Sequence, residues 1–207
     1  MKRFEIITEA DARVLDVGET VELRAHGHIT PLAADTLKAR RVTVVSEGAI
    51  DRSDEGLAPA AHVRRVAIGS DHGGLALKAA IIVALRGKGI AVDDLGTLTA
   101  EPVDYPDTAA RVARSVARGE ADAGIVIDGA GIGSAIAANK IAGARAAVCH
   151  DRTMARYARQ HNGANILSLG ATLIQPKDAL EVIDVWLNTP MTEARYIRRL
   201  AKIRALE

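Results

Sequence analysis

Gly124-Ile-Val-Ile-Asp128-Gly-Ala-Gly131-Ile-Gly133-Ser-Ala-Ile-Ala-Ala-Asn-Lys140 is the stretch that decides how this chain folds. Ile125-Val126-Ile127 is a short β-branched run, which reads as a buried parallel strand. Gly129, Gly131 and Gly133 follow at alternate positions, and Ser134 to Lys140 reads as helix. A strand, a glycine turn and a helix start bring backbone N–H groups close to a ligand and suit an anion. Asp128 closes the strand, at the edge where open α/β sheets bind ligands. Two other readings fit the same stretch. One is a loop that merely packs a helix on a sheet. The other is a nucleotide loop, for which the last glycine spacing is one residue short, although Asp151 lies about 20 residues on, where a ribose-binding acid would stand.

Working outward, strand and helix patterns alternate from Arg65 onward. Val66–Gly69, Ile90–Val92, 124–128, Ala144–Val148 and Asn165–Leu169 read as five strands. Leu77, Ile81 and Leu85 mark one helix, and Ala109, Val112, Ala113 and Val116 mark another. Further helices are expected near 152–161, 176–187 and 193–206. This alternation predicts an α/β fold: a doubly wound, Rossmann-like, five-stranded parallel sheet with helices on both faces. Residues 1–46 form a separate small α+β unit. Its strands are Phe4–Ile7, Thr20–Leu23 and Arg41–Val45, with a helix from Thr30 as N-cap and Pro31 at its first position. Residues 47–63 are polar and glycine-containing and read as a linker, leaving 64–207 as the main domain. His26-Gly-His28, placed in a turn without a third ligand, reads as surface rather than as a metal site.

The chain has 207 residues, with 27 basic and 26 acidic side chains and 2% aromatic residues. Near-neutral charge and the lack of aromatic platforms argue against nucleic acid as a partner. No apolar run approaches a membrane span and no export signal is present, so a cytoplasmic protein is expected. The single Cys149 reads as a small buried hydrophobe.

If the sheet is parallel, Asp71-His72, Asp128–Gly133 and Cys149–Asp151 converge on one edge. His161-Asn162 ends a helix just before the fifth strand. Arg195 and Arg199, four apart on a helix, share a face and suit a phosphate, although an exposed basic face serves solvation alone just as well.

Ser70-Asp-His-Gly-Gly74, Asp104-Tyr-Pro106, Asp128-Gly-x-Gly-x-Gly133, Ile136-Ala-Ala-Asn-Lys140, Arg159-Gln-His-Asn162 and Arg195-x-x-x-Arg199 resemble, in order and spacing, the type B ribose-5-phosphate isomerases. That family includes the subunits of galactose-6-phosphate isomerase. The resemblance runs from about Arg65 to the C-terminus. It implies cofactor-free, metal-free aldose–ketose isomerisation of a four- to six-carbon sugar phosphate through an enediol. It also implies a homodimer or dimer of dimers with sites drawn from both subunits. By position, His72, Arg195 and Arg199 would bind the phosphate, with Asp71 and Asn162 also in the substrate site. His161 would open the sugar ring, and the N–H groups of Gly129, Gly131 and Gly133 would hold the developing oxyanion. Thr30-Pro-Leu-Ala-Ala-Asp35, followed by a short basic helix and a strand, resembles N-terminal extensions of microcompartment-associated enzymes. That implies such an association through residues 1–63.

Three positions depart from the family pattern. Asp128 stands where many members carry a cysteine base, Ala130 replaces an assisting Thr or Ser, and Thr172 replaces a phosphate-binding Arg. In another branch a Glu base occupies the position of Ser134. A carboxylate can remove a proton beside a carbonyl when its surroundings tune it for the task, which makes Asp128 the candidate base. The alternatives are that Asp128 only braces the glycine loop, and that the chain is a non-catalytic relative binding a sugar or a partner.

Overall fold

The computed structural model describes residues 2–47, 56–60, 62–191 and 193–207. Residues 48–55 and 61 of the expected linker lie outside the described residues. The chain divides into two compact units, Met1–Ala61 with Pro190–Leu206, and His62–Thr189 with Glu207.

The first unit opens with β1 (Arg3–Ile7), α1 (Glu9–Val14), β2 (Thr20–Ile29), α2 (Pro31–Ala39) and β3 (Thr43–Ser46). The strands pair in parallel in the order β1-β2-β3. Parallel neighbours need a crossover, and α1 and α2 supply the two. The strand pattern predicts no helix between β1 and β2, and α1 is six residues long, too short to show a period. Its signal is the cap: Asp11 N–H donates to Thr8 Oγ1 at 3.4 Å and Thr8 N–H to Asp11 Oδ2 at 2.9 Å. β2 also runs past the expected Leu23, so His26 and His28 lie exposed on a strand, not in a turn. Ile7, Ala12, Leu15, Val21, Ala33, Leu37 and Val42 make the core.

The second unit holds β4 (Arg65–Ser70), α3 (Leu75–Gly87), β5 (Ala91–Asp94), α4 (Tyr105–Ala117), β6 (Ala123–Asp128), α5 (Ile132–Ala138), β7 (Ala146–Val148), α6 (Arg152–Asn162), β8 (Ile166–Gly170) and α7 (Pro176–Asn188). All five strands are parallel, in the order β5-β4-β6-β8-β7. Side chains alternate between the faces of the sheet. Ile125, Ile127, Ile68 and Leu167 pack with Leu77, Ile81, Val182 and Trp186 of α3 and α7. Val126, Ala67 and Ile166 pack with Ala109, Val112 and Val116 of α4 on the opposite face. Every residue of β6 is buried, as a central strand covered on both faces requires.

The C-terminal helix α8 (Ala194–Arg204) falls in the first unit, whereas the sequence pattern assigned 64–207 to one domain. Apolar burial decides its place. Tyr196, Ile197 and Leu200 join Met191 and Leu57 in one cluster, and Thr43 Oγ1 donates to Met191 O at 2.6 Å.

Where β8 ends, Gly170 passes so close to the loop after β6 that an added Cβ would lie 2.7 Å from the Ala130 backbone. Gly170→Ala is therefore expected to destabilise the fold by about 1–3 kcal/mol, as overpacking does. Urea unfolding should show a lower midpoint at an unchanged slope.

Candidate functional site

From β4 the chain crosses by α3 to β5 on one side, and from β6 it passes by α5 to β7 on the other. The crevice where windings diverge lies at the carboxyl ends of β4 and β6, the ligand position of open α/β sheets. Asp71 and His72 follow β4, and Asp128 ends β6. Asp71 N–H donates to Ile127 O at 3.2 Å, which ties the two strand ends together.

Asp128 is 5% exposed. Its Oδ1 accepts the N–H groups of Ala130, at 2.9 Å, and of Gly131; its Oδ2 accepts that of Ser134 at 2.7 Å. A carboxylate offers about four acceptor sites, so three are taken and Oδ2 keeps one open. The loop curls back on this side chain because Gly131 adopts φ +78, which side chains disfavour. On the far side, Ala171 N–H donates to Asp128 O at 2.8 Å, and Thr172 donates to Gly129 O through its N–H (3.0 Å) and its Oγ1 (2.7 Å). Gly131, expected among the oxyanion donors, thus gives its N–H to Asp128. Among the described residues, no acceptor takes the N–H groups of Gly129, Ile132 or Gly133. Ile132 joins the donors only through the tertiary path of the loop; nothing in its side chain signals it.

Asp71 caps the single 3-10 turn of His72–Gly74, accepting Gly74 N–H at 3.1 Å. Exposed His72 accepts Val103 N–H on Nδ1 at 3.3 Å, so the neutral ring carries its proton on Nε2 as a donor. Tyr105, at the start of α4, lays its ring on Gly133, where a Cβ would lie 2.5 Å from ring Cζ. Neither contact shows as a local sequence pattern, because each joins residues from different loops.

His161 and Asn162 sit elsewhere. α6 begins after β7 at the carboxyl edge, capped by Asp151, and ends at Gly163 before β8 begins at the amino edge. Eleven residues of helix span roughly 16 Å, so His161 and Asn162 lie at the edge of the sheet opposite Asp128. His161 stacks on Tyr157 with ring centroids 4.7 Å apart, and Asn162 Nδ2 donates to Tyr157 O at 3.0 Å. Arg195 and Arg199 belong to the first unit, where their guanidiniums lie 4.9 and 5.7 Å from the Tyr196 ring centroid. They share one face, as their spacing predicts.

A second hollow on the carboxyl edge, of about 370 Å³, is lined by His150, Asp151, Arg152, Thr172, Asp178 and Glu181 among others. Arg152 is paired with Glu181 at 3.5 Å, so the carboxylates of Asp151 and Asp178 set its charge and disfavour a phosphate there. Among the described residues, no group of three or more His, Cys, Asp and Glu side chains is placed to hold a metal ion.

Residues 66–203 match the family described as Ribose/Galactose Isomerase. Ribose-5-phosphate isomerase B of Escherichia coli K12 is 41% identical over 145 residues, covering 70% of this chain and 97% of that protein. The type B ribose 5-phosphate isomerase of Trypanosoma brucei superposes with a TM-score of 0.68 at 47% identity, over 70% of this chain and 99% of that one. The Mycoplasma genitalium ribose-5-phosphate isomerase B, solved with bound ribulose-5-phosphate, gives 0.66 at 37% identity, over 69% of this chain and 95% of that one.

Burial, reinforced by the Asp151 charge, pushes the Cys149 thiol up to about 12. In the native protein its alkylation at pH 8 is expected to run roughly a thousandfold slower than that of an ordinary thiol. Activity should survive the reagent, and one thiol should appear on unfolding. Because the unfolded chain releases this proton first, the thiol's contribution to stability falls as pH rises from 9.0 toward about 12. Cys149→Ala should flatten that window in urea melts.

Proposed function

The chain belongs to the Ribose/Galactose Isomerase family and is an aldose–ketose isomerase of a sugar phosphate; on that premise we propose that Asp128 is its base. The substrate is ribose 5-phosphate with ribulose 5-phosphate, or a related four- to six-carbon phosphate. Asp128 removes the proton from carbon 2 of the open-chain aldose. The electron pair enters the bond between carbons 1 and 2, and the aldehyde oxygen takes up the negative charge. The same acid returns a proton to carbon 1, while the hydroxyl at carbon 2 passes its proton to the negative oxygen on carbon 1, so that carbon 2 becomes the ketone and carbon 1 carries the hydroxyl. Electrons balance within the sugar, so no cofactor enters the scheme.

One observation carries this reading. The Asp128 carboxylate is buried at the switch point and fixed by three loop N–H groups, while the N–H groups of Gly129, Ile132 and Gly133 remain for a substrate oxygen. Preorganised donors of this kind stabilise charge where it develops. The proton goes to Oδ2, the oxygen with an open acceptor site. His72 offers Nε2–H to the phosphate, and Asp71 shapes the turn that presents it. Arg195 and Arg199 supply the guanidinium pair that the phosphate needs.

The position of His161 supports a homodimer. One chain holds Asp128 and His161 at opposite sheet edges, so ring opening by His161, with Asn162 beside it, is the work of a second copy. Residues 1–63, with the Thr30–Asp35 pattern, are the segment we assign to microcompartment association. Among the described residues no helix is long and apolar enough to cross a membrane, and we place the protein in the cytoplasm. The full chain should co-sediment with assembled shells, and a chain lacking 1–63 should not.

The alternative, a non-catalytic binder, draws on the same three N–H bonds, which would also suit an aspartate that only braces its loop. Turnover in deuterium oxide separates the two. Ribose 5-phosphate should give ribulose 5-phosphate deuterated at carbon 1. Asp128→Asn should lower that rate by roughly 10²- to 10⁴-fold. Normal turnover in the variant rules out Asp128 as base. Binding without turnover across the sugar-phosphate series supports the binder.

Mixing two inactive variants, Asp128→Asn and His161→Ala, tests the shared site. Random exchange in a two-fold dimer rebuilds one intact site per mixed pair, so roughly a quarter of wild-type activity should return. No recovery would place both groups in one chain's site.

A further inference from the structure

We propose that Lys78, a residue without an assigned role, is a positioning residue for the isomerase site; the proposal rests on the sugar-phosphate reading above. Lys78 lies on α3 and is 2% exposed. Lysine is almost never this buried unless its charge is paired. Its Nζ donates to Asp94 Oδ1 at 2.7 Å and to Thr97 O at 2.6 Å. Asp94 Oδ1 also accepts Gly96 N–H at 3.1 Å. Both acceptors of the ammonium therefore sit at or just beyond the end of β5, in the turn 94–97.

That turn is the root of the segment leading to α4. Leu95 N–H donates to Ile68 O at 2.8 Å and Thr97 N–H to Ser70 O at 3.2 Å, which ties the turn to the end of β4, directly before Asp71. Beyond it the chain runs exposed from Leu98 to Val103. Val103 N–H then holds His72 Nδ1, and Tyr105 covers Gly133. One segment thus touches both halves of the site, and its buried charged anchor is Lys78 with Asp94. Removing the ammonium frees Thr97 O and leaves Asp94 with one N–H, so the segment loses its fixed start. His72 loses its tautomer-setting donor and Tyr105 its seat. Neither group performs the proton transfer, so the effect falls on substrate binding before it falls on chemistry.

A buried ion pair can also be a packing feature, and replacing both members by apolar groups is often neutral for stability. That gives the discriminating experiment. Lys78→Met and the double variant Lys78→Met with Asp94→Leu are compared with wild type for urea midpoint, kcat, KM for ribose 5-phosphate and the nitrogen shifts of the His72 ring. The single variant should lower the midpoint and raise KM about tenfold or more, since a loosened clamp costs binding first. The double variant should recover the midpoint yet keep the raised KM, with the His72 Nδ1 signal moved away from its hydrogen-bonded position. Wild-type KM and unmoved His72 signals in the double variant overturn the proposal. So does activity loss that follows only the folded fraction. Should neither variant fold, Lys78→Arg keeps the charge and the core but shifts the donors, and the same KM and His72 readouts apply. If wild type turns over no sugar phosphate, the isomerase reading fails separately, and the His72 signals still decide whether Lys78 positions the ring.

Discussion

The site is organised by a carboxylate that folds its own loop. Asp128 stands at the end of a strand buried at every residue and gathers three N–H groups from the six residues that follow it. Burying a carboxylate is costly unless it is hydrogen-bonded, and here the turn back onto the side chain meets that need. The left-handed residue Gly131, the crossing at Gly170 and the two bonds from Thr172 to Gly129 O all serve this one path. Among the described residues three neighbouring N–H groups are left without an acceptor, and they are the donors proposed for a negative substrate oxygen. A thiolate in the same place would draw on weaker hydrogen bonds. An aspartate there binds the loop through three N–H groups and, as proposed, would carry the chemistry on the same side chain.

The parallel topology has a consequence for how the site is completed. A helix after a parallel strand returns the chain to the amino edge. The last residues of α6 therefore lie a helix length away from the first residues after β6. His161 and Asn162 match the family pattern by sequence, yet they cannot serve Asp128 of their own chain without refolding the sheet. The guanidinium pair sits on α8, whose apolar face is buried in the first unit through Tyr196, Ile197 and Leu200. The proposed roles of His161 and Asn162 therefore call for a second copy of the chain, and the proposed guanidinium pair belongs to a helix of the first unit.

Much of this was legible in the sequence. Buried parallel strands announce themselves as short β-branched runs, and Ile125-Val126-Ile127 did so, as did the amphipathic faces of α3 and α4. The glycine spacing marked the loop and Asp128 as its first residue. What was not legible depends on tertiary paths. That Gly129, Ile132 and Gly133, rather than Gly131, are the donors with no acceptor among the described residues follows from where the Asp128 carboxylate points. The contacts of Val103 with His72 and of Tyr105 with Gly133 join separate loops. Six-residue α1 left no period to read. The placement of α8 with the first unit follows from which apolar surface covers it, and its charged face, the part visible in sequence, says nothing of that.

A crystal structure with a phosphorylated enediolate analogue tests the central claim most directly. The analogue's anionic oxygen should lie about 3 Å from the N–H groups of Gly129 and Gly133. Asp128 should keep its bonds to Ala130, Gly131 and Ser134, with Oδ2 facing the reacting carbons. An analogue that displaces Asp128 from those three N–H groups, or that binds away from the ends of β4 and β6, would contradict it.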